Sequence, residues 1–218
     1  DLPNEEKGLV PSPEWKKKVK KLPWYPGETV ITGIGQGFLL ATPLQLAKFA
    51  ATLANRGRAV KPFVIMQTEQ FEPSDNEQSE DMSTIKNLPN DNRHWKVVND
   101  GMVAVVHSSK GTARGIGYTS KTKIAGKTGT AQKVKSSSEG GGYYDDKEVV
   151  SFIGFFPANN PQISILVMAD EPSIRVNGKL PGGGTVCAPA FKEIAEHTIK
   201  YLKISPEGKR IYITQAEN

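Results

Sequence analysis

The chain has 218 residues, a formal net charge of +5 and a hydrophobic fraction of 37%, enough for one domain with a sizeable core. So mild a positive charge does not by itself mark a nucleic-acid binder, and no apolar run approaches the roughly 20 residues of a membrane span. A single cysteine, Cys187, excludes an internal disulfide framework. Asp1-Leu2-Pro3 does not begin a signal peptide, and the missing initiator methionine suggests a piece of a longer polypeptide.

From Leu2 to Gly27 the chain is rich in proline and lysine, which predicts loop with at most one short helical turn. The basic cluster from Lys16 to Lys21, flanked by Trp15 and Trp24, reads as a solvated loop with packed tryptophans rather than an RNA or membrane surface. After Gly33-Ile34-Gly35-Gln36-Gly37 comes a strong helix signal. Thr42 and Gln45 form a capping box, and Pro43 falls at the first helical position, where its missing N–H costs nothing. Leu46, Phe49, Ala50, Leu53 and Ala54 share one face at helical spacing and are expected to be buried, with Gly57 as the stop. A short strand is expected from Val60 to Met66, then an exposed polar loop from Gln67 to Asn92. A second helix from about Trp95 to Ser109 should bury Val98, Met102 and Val105 or Val106, with Gly111 beyond its end.

The last third changes character. Three strands are expected, from Lys123 to Gln132, from Glu148 to Phe156 and from Gln162 to Ala169, the last two joined by the turn Asn159-Asn160-Pro161. Ile163, Ile165, Val167 and Ala169 alternate with Ser164, Leu166 and Met168, so both faces of the third strand should be covered. Gly140-Gly141-Gly142 marks an excursion between the first two strands. A final helix from about Pro189 to Leu202 offers Phe191, Ile194, Ala195, Thr198 and Ile199 to the sheet.

Glycine clusters invite nucleotide-binding readings, and counting removes them. A phosphate loop needs glycine five residues before Gly126, where Lys121 stands; a dinucleotide fingerprint from Gly33 needs glycine where Phe38 stands. His94, His107 and His197 are far apart in sequence, and Cys187 has no neighbour at zinc-ligand spacing, so no metal site is expected.

What remains is Ala125-Gly126-Lys127-Thr128-Gly129-Thr130-Ala131 on a strand. A strand with small side chains lets an extended substrate pair alongside it, and Gly129 would permit that close approach. The hydroxyls of Thr128 and Thr130 can bind a carboxylate, Lys127 adds positive potential, and a strand-edge N–H can face a developing oxyanion. Lys-Thr-Gly is one of three boxes found in serine acyl-transferases that react with β-lactams.

Three segments together, from Gly27 to Gly57 (GETVITGIGQGFLLATPLQLAKFAATLANRG), from Ala125 to Gln132 (AGKTGTAQ) and from Gly183 to Leu202 (GGTVCAPAFKEIAEHTIKYL), resemble the class B penicillin-binding proteins. The likeness extends through Ser151-Phe152-Ile153-Gly154-Phe155-Phe156-Pro157 and covers nearly the whole chain outside the polar loop. It implies an α+β fold, an antiparallel sheet packed by helices of the penicillin-binding/β-lactamase-like type, filling 1–204 with a tail over 205–218. It implies a D,D-transpeptidase that cross-links peptidoglycan through an acyl-serine and needs no metal or organic cofactor, or else a non-catalytic sensor of the same fold. Lys127 and Thr130 would be catalytic, and Thr128, Gly129 and Thr130 would bind the substrate carboxylate. The implied partners are peptidoglycan stem peptides, β-lactams and a membrane glycan polymerase, with no nucleic acid. The implied location is the extracytoplasmic face of a membrane, by an anchor outside this chain.

Two literal strings, Ser83-Thr84-Ile85-Lys86 and Ser74-Asp75-Asn76, match the remaining Ser-x-x-Lys and Ser-x-Asn boxes. Their order is reversed relative to the family, they follow rather than precede Gly-Ile-Gly-Gln-Gly, and they lie in the polar loop. A serine nucleophile should open a buried helix that desolvates its lysine. The expected nucleophile therefore lies upstream of Asp1. Gly-Ile-Gly-Gln-Gly leans toward elongation-type members and the Gly-Gly-Thr-Val ending toward division types, which leaves that choice open.

Overall fold

The computed structural model describes residues 5–62, 92–117, 121–173 and 181–206. Its centre is a three-stranded antiparallel sheet of order β1-β2-β3, made of β1 (Ala125–Val134), β2 (Tyr143–Phe156) and β3 (Ile163–Asp170). The strands agree with the sequence pattern except that β2 begins five residues before the expected Glu148, and the register places Thr128 opposite Phe152 and Phe152 opposite Val167. Gly140, Gly141 and Gly142 all carry positive φ, at 87°, 68° and 81°, a conformation open to glycine at no steric cost, and they turn β1 into β2.

Because side chains alternate across a strand, β2 feeds two cores. Val150, Phe152 and Phe156 join Cys187, Ala188, Phe191 and Ala195 of α6 (Gly183–Tyr201). Phe155 and Ala125 face the other way, toward Met102 of α4 (Asn92–His107) and Leu53 and Ala54 of α3 (Pro43–Ala54). The sheet is thus helix-covered on both faces, as the third strand's alternation implied. Ile163, Ile165 and Val167 pack on the α6 side, and the Ser164 hydroxyl donates to the Ala47 carbonyl of α3 at 3.2 Å.

The α3 start is as expected: Thr42 accepts from the Gln45 N–H at 3.1 Å, and Gln45 Oε1 accepts from the Thr42 N–H at 3.0 Å. Its end is also local. The Arg56 N–H bonds to the Leu53 carbonyl and the Gly57 N–H to the Thr52 carbonyl, with φ of 53° and 88° at the two residues. The buried stripe differs from the expectation. Phe49 is 58% exposed, because α3 lies against the sheet through Ala50, Leu53 and Ala54, and position 49 falls at the stripe's outer margin. In α4, Met102 and Val106 are buried as expected, but Val98 is 41% exposed. In α6, Phe191 and Ala195 are buried and Ile194 is 45% exposed, one position outside the contact with the sheet.

The α6 helix begins six residues before the expected Pro189, which sits inside it. Gly183 and Gly184 fall before the expected start, yet they let the helix begin flush against the sheet. A Cβ on Gly183 would lie 1.9 Å from the Ser151 carbonyl oxygen. Between α4 and α6, the short α5 (Arg114–Gly117) buries Ile116.

The N-terminal stretch is more ordered than a loop. It forms α1 (Pro13–Val19), capped by the Ser12 hydroxyl accepting from the Trp15 N–H at 3.1 Å, and α2 (Pro26–Gly33), each with proline at the helix start. Nor is the basic cluster uniformly solvated. Lys16 is only 2% exposed, pairs with Glu28 at 2.5 Å and stacks 4.2 Å from the Tyr25 ring, tying α1 to α2. The Lys16 ammonium and then the Tyr25 N–H hold the Glu28 carboxyl below the usual carboxylate range. Val60, Lys61 and Pro62 form no strand; the rest of that expected strand, the polar loop up to residue 91 and the tail from 207 lie outside the described residues. Among the described residues no helix is long and apolar enough to cross a membrane.

Candidate active site

Within the described sheet β1 pairs only with β2, so its other edge is open. Lys127, Thr128, Gly129 and Thr130 lie in its middle, Lys127 and Thr130 exposed and the other two half-buried. The register divides them by face. Thr128 and Thr130 stand opposite Phe152 and Val150 on the α6 side, whereas Lys127 and Gly129 stand opposite Ile153 and Ser151 on the α3 side. The Lys127 ammonium donates to the Thr128 carbonyl at 2.6 Å and makes no ion pair among the described residues. At Gly129 a Cβ would sit 2.4 Å from the Ser151 hydroxyl oxygen. A side chain there would require the Ser151 hydroxyl to turn away.

On the α6 side the two threonines meet a third. The Thr128 and Thr112 hydroxyl oxygens are 3.0 Å apart. Thr112 sits in the turn between α4 and α5, which folds back as the Ala113 N–H bonds to the Val105 carbonyl at 3.0 Å. Gly111 makes that return possible, since a Cβ there would lie 2.2 Å from the Val105 oxygen. The start of α6 closes the group. A Cβ on Gly184 would come 3.3 Å from Thr128 Cγ2 and 2.1 Å from the Thr112 carbonyl oxygen, and one on Gly182 would come 3.8 Å from Thr130 Oγ1. Gly182 offers no side-chain cap to the helix, so the first-turn N–H groups and the positive end of the helix dipole lie beside the three hydroxyls. Such an arrangement suits a carboxylate.

Sequence reading singles out Lys127, Thr128, Gly129 and Thr130 but neither Thr112 nor the α6 start, which the structure sets beside Thr128. Gly111-Thr112 looks like an ordinary helix stop, and nothing local ties it to a strand 16 residues on. Among the described residues no group of three His, Cys, Asp or Glu side chains is placed to hold a metal ion. Ser74 and Ser83 lie outside the described residues.

One histidine supports the strand. His107, at the end of α4, accepts from the Ile124 N–H at 3.1 Å through Nε2, just before β1 begins. Burial and then the nearby Lys123 charge push its pKa below the ordinary 6.5. Protonation would remove the acceptor. Because the folded value is depressed, this contribution to stability is present above the unfolded pKa and is lost as pH falls below it. Thermal melts should therefore show a loss of stability from pH 7 toward pH 5 that is smaller in His107→Gln, which keeps an acceptor without titrating.

Residues 1–196 match the penicillin binding protein transpeptidase domain. The chain belongs to that family. It is 41% identical over 181 residues to the peptidoglycan D,D-transpeptidase MrdA of Acinetobacter baumannii, covering 77% of this chain and 25% of that protein. It is 31% identical over 208 residues to MrdA of Escherichia coli, covering 90% of this chain and 30% of that one. Pseudomonas aeruginosa PBP2, solved in complex with WCK 5153, superposes over the whole chain with a TM-score of 0.74 and 37% identity, covering 41% of the solved chain. PBP2 of Helicobacter pylori, solved with MreC, gives a TM-score of 0.68 at 29% identity over 92% of this chain and 33% of that one. The chain thus spans about a quarter to a third of the curated transpeptidases it matches, and its helix-covered antiparallel sheet has the penicillin-binding/β-lactamase-like fold of these neighbours.

Proposed function

We propose that this chain forms the Lys-Thr-Gly wall of a peptidoglycan D,D-transpeptidase active site. The observation that carries the reading is the gathering of the Thr112, Thr128 and Thr130 hydroxyls at the open start of α6, beside a strand whose edge is free. In the reaction a serine upstream of this chain attacks the penultimate D-alanine carbonyl of a stem peptide. The terminal D-alanine leaves with a proton, and an amine of a neighbouring stem displaces the serine from the resulting ester. A β-lactam enters at the same place and acylates the same serine.

Each residue has a separable part. Thr128 and Thr130 donate to the terminal carboxylate, and Thr112 donates its one hydroxyl proton to the Thr128 oxygen, leaving the Thr128 proton for the carboxylate. Lys127 carries positive potential to the reacting end and assists proton traffic. The Thr130 N–H contributes half of the oxyanion hole. Gly129 keeps the strand flat against Ser151 and leaves the open edge unobstructed. The parent protein, anchored by a segment outside this chain, works at the outer face of the membrane beside a glycan polymerase.

The carboxylate cradle can be tested with a charge-selective pair of ligands. In the full-length protein Thr112→Val with Thr128→Val should slow acylation by benzylpenicillin about 10- to 100-fold, the loss of one hydrogen bond to a charged group. Acylation by the methyl ester of benzylpenicillin should change little. An equal loss for acid and ester would remove the cradle from the account.

A further inference from the structure

The far end of the Lys-Thr-Gly strand is held from outside the sheet. Tyr143, the first residue of β2, stands opposite Val134 and directly follows the three-glycine turn. Its hydroxyl accepts from the Gly37 N–H at 3.2 Å, across 106 residues of sequence. The donor is itself fixed. Beyond the end of α2 the Gly35 N–H bonds to the Thr32 carbonyl and the Gln36 N–H to the Ile31 carbonyl, both at 3.0 Å. Gly35 and Gly37 have φ of 79° and 75°, and Ile31 packs under Gly37, where a Cβ would lie 3.0 Å from its Cγ2. Next in the chain, Phe38 packs on Trp15 of α1 with ring centroids 5.3 Å apart, so the hairpin leans on the α1–α2 body. Lys133 adds a second tie, pairing with Asp170 and Glu171 at 2.7 Å each and joining β1 across β2 to the end of β3.

The main chain gives this end of β1 a use. At the near end the Ala158 N–H bonds to the Lys123 carbonyl at 2.8 Å on the β2 side, and the Ile124 N–H turns the other way, to His107. Alternation then sets the N–H and C=O groups of Thr128, Thr130 and Gln132 along the open edge. With its carboxylate at Thr128 and Thr130 and its reacting carbonyl at the Thr130 N–H, an extended donor runs antiparallel to β1. The residues before its scissile bond pass Gln132 and reach Val134, about 13 Å beyond Thr130 at about 3.3 Å per residue. Ala131, Gln132 and Val134 are exposed, and this length of edge is free among the described residues.

We propose that Tyr143 is a positioning residue that sets the length of donor peptide the site reads, by holding the second half of β1 in place for residues well before the scissile bond. This role rests on the transpeptidase reading above. A short ligand ends before the pinned segment. A long one pairs with that segment at full affinity only where it is already in place, so the bond acts on binding rather than on the chemical step.

Penicillins can carry the probe, because the acyl arm on their nucleus continues in the direction of the donor. Two are compared by stopped flow in the full-length protein: aminopenicillanic acid acylated with N-acetylalanine, and the same acid acylated with N-acetyltetraalanine. The long arm should tighten the reversible Kd before acylation by about tenfold, with the limiting rate unchanged. Tyr143→Phe, which removes only the acceptor, should abolish most of that gain. Tyr144→Phe, which breaks the bond from its hydroxyl to Glu139 at 2.5 Å in the same hairpin, should keep the gain and so separate positioning from general loosening. Equal Kd values for the two arms in the parent, a gain that survives Tyr143→Phe, or a gain lost equally in Tyr144→Phe overturns the proposal and leaves the transpeptidase reading standing. No acylation by either penicillin would overturn both.

Discussion

Lys127→Ala in the full-length protein is expected to lower the second-order rate of acylation by benzylpenicillin roughly a thousandfold, with no measurable change in melting temperature. The size follows from position. Placed charges and proton carriers at a reacting centre are each worth on the order of 10²- to 10⁴-fold. The absence of a stability effect follows from exposure: the Lys127 side chain is exposed and makes no ion pair among the described residues, its ammonium only bending to the neighbouring Thr128 carbonyl. Lys127→Arg should recover little, because a planar, forked guanidinium cannot take the place of a compact point charge that must also pass a proton. Stopped-flow acylation combined with thermal melts separates the two effects. A rate within tenfold of the parent would show that Lys127 is not part of the reacting centre.

Phe191→Ala should produce the largest loss of stability, about 3–5 kcal/mol. The ring is fully buried and meets Phe152 at 4.8 Å and Phe156 at 6.1 Å, both edge-to-face. A Cβ on Gly154 would lie 3.1 Å from its Cζ, so the ring lies directly on the β2 backbone. A domain holds only about 5–15 kcal/mol in total, so the variant should be partly unfolded at physiological temperature. The loss should reach the site as well, since Phe191 presses α6 onto the sheet and the α6 start lines the threonine cluster. Phe191→Leu, which keeps most of the volume, should cost less than half as much. Urea unfolding monitored by circular dichroism measures both, and equal losses for Ala and Leu would contradict the packing argument.

Features with local causes were readable from the residues. The α3 start rests on Thr42, Pro43 and Gln45 within one turn, and the β2–β3 pairing on alternation and a proline turn. The Lys-Thr-Gly strand was placed within two residues at either end. What escaped depends on partners distant in sequence. Phe49, Val98 and Ile194 fit a helical stripe, but how wide a stripe is covered depends on the surface facing it. Gly183 and Gly184 fall before the expected helix start because glycine disfavours helix, and only the Ser151 and Thr112 carbonyls show why nothing larger fits at these two positions. Lys16 looked like its neighbours until Glu28 and Tyr25 were placed beside it. Two short helices at the N-terminus were hidden by their own prolines and lysines, although Ser12-Pro13 is a legitimate helix start. Thr112 had no sequence signal at all, since its role exists only through Thr128.

The central claim, that this chain holds the carboxylate-binding wall while the attacking group lies upstream, is tested most directly by labelling with a fluorescent penicillin. The full-length protein should be labelled covalently, with the adduct mapped by mass spectrometry to a serine upstream of Asp1. The 218-residue chain by itself should remain unlabelled under the same conditions. Covalent labelling of that chain at Ser83 would contradict the account, because it would place the nucleophile in the polar loop.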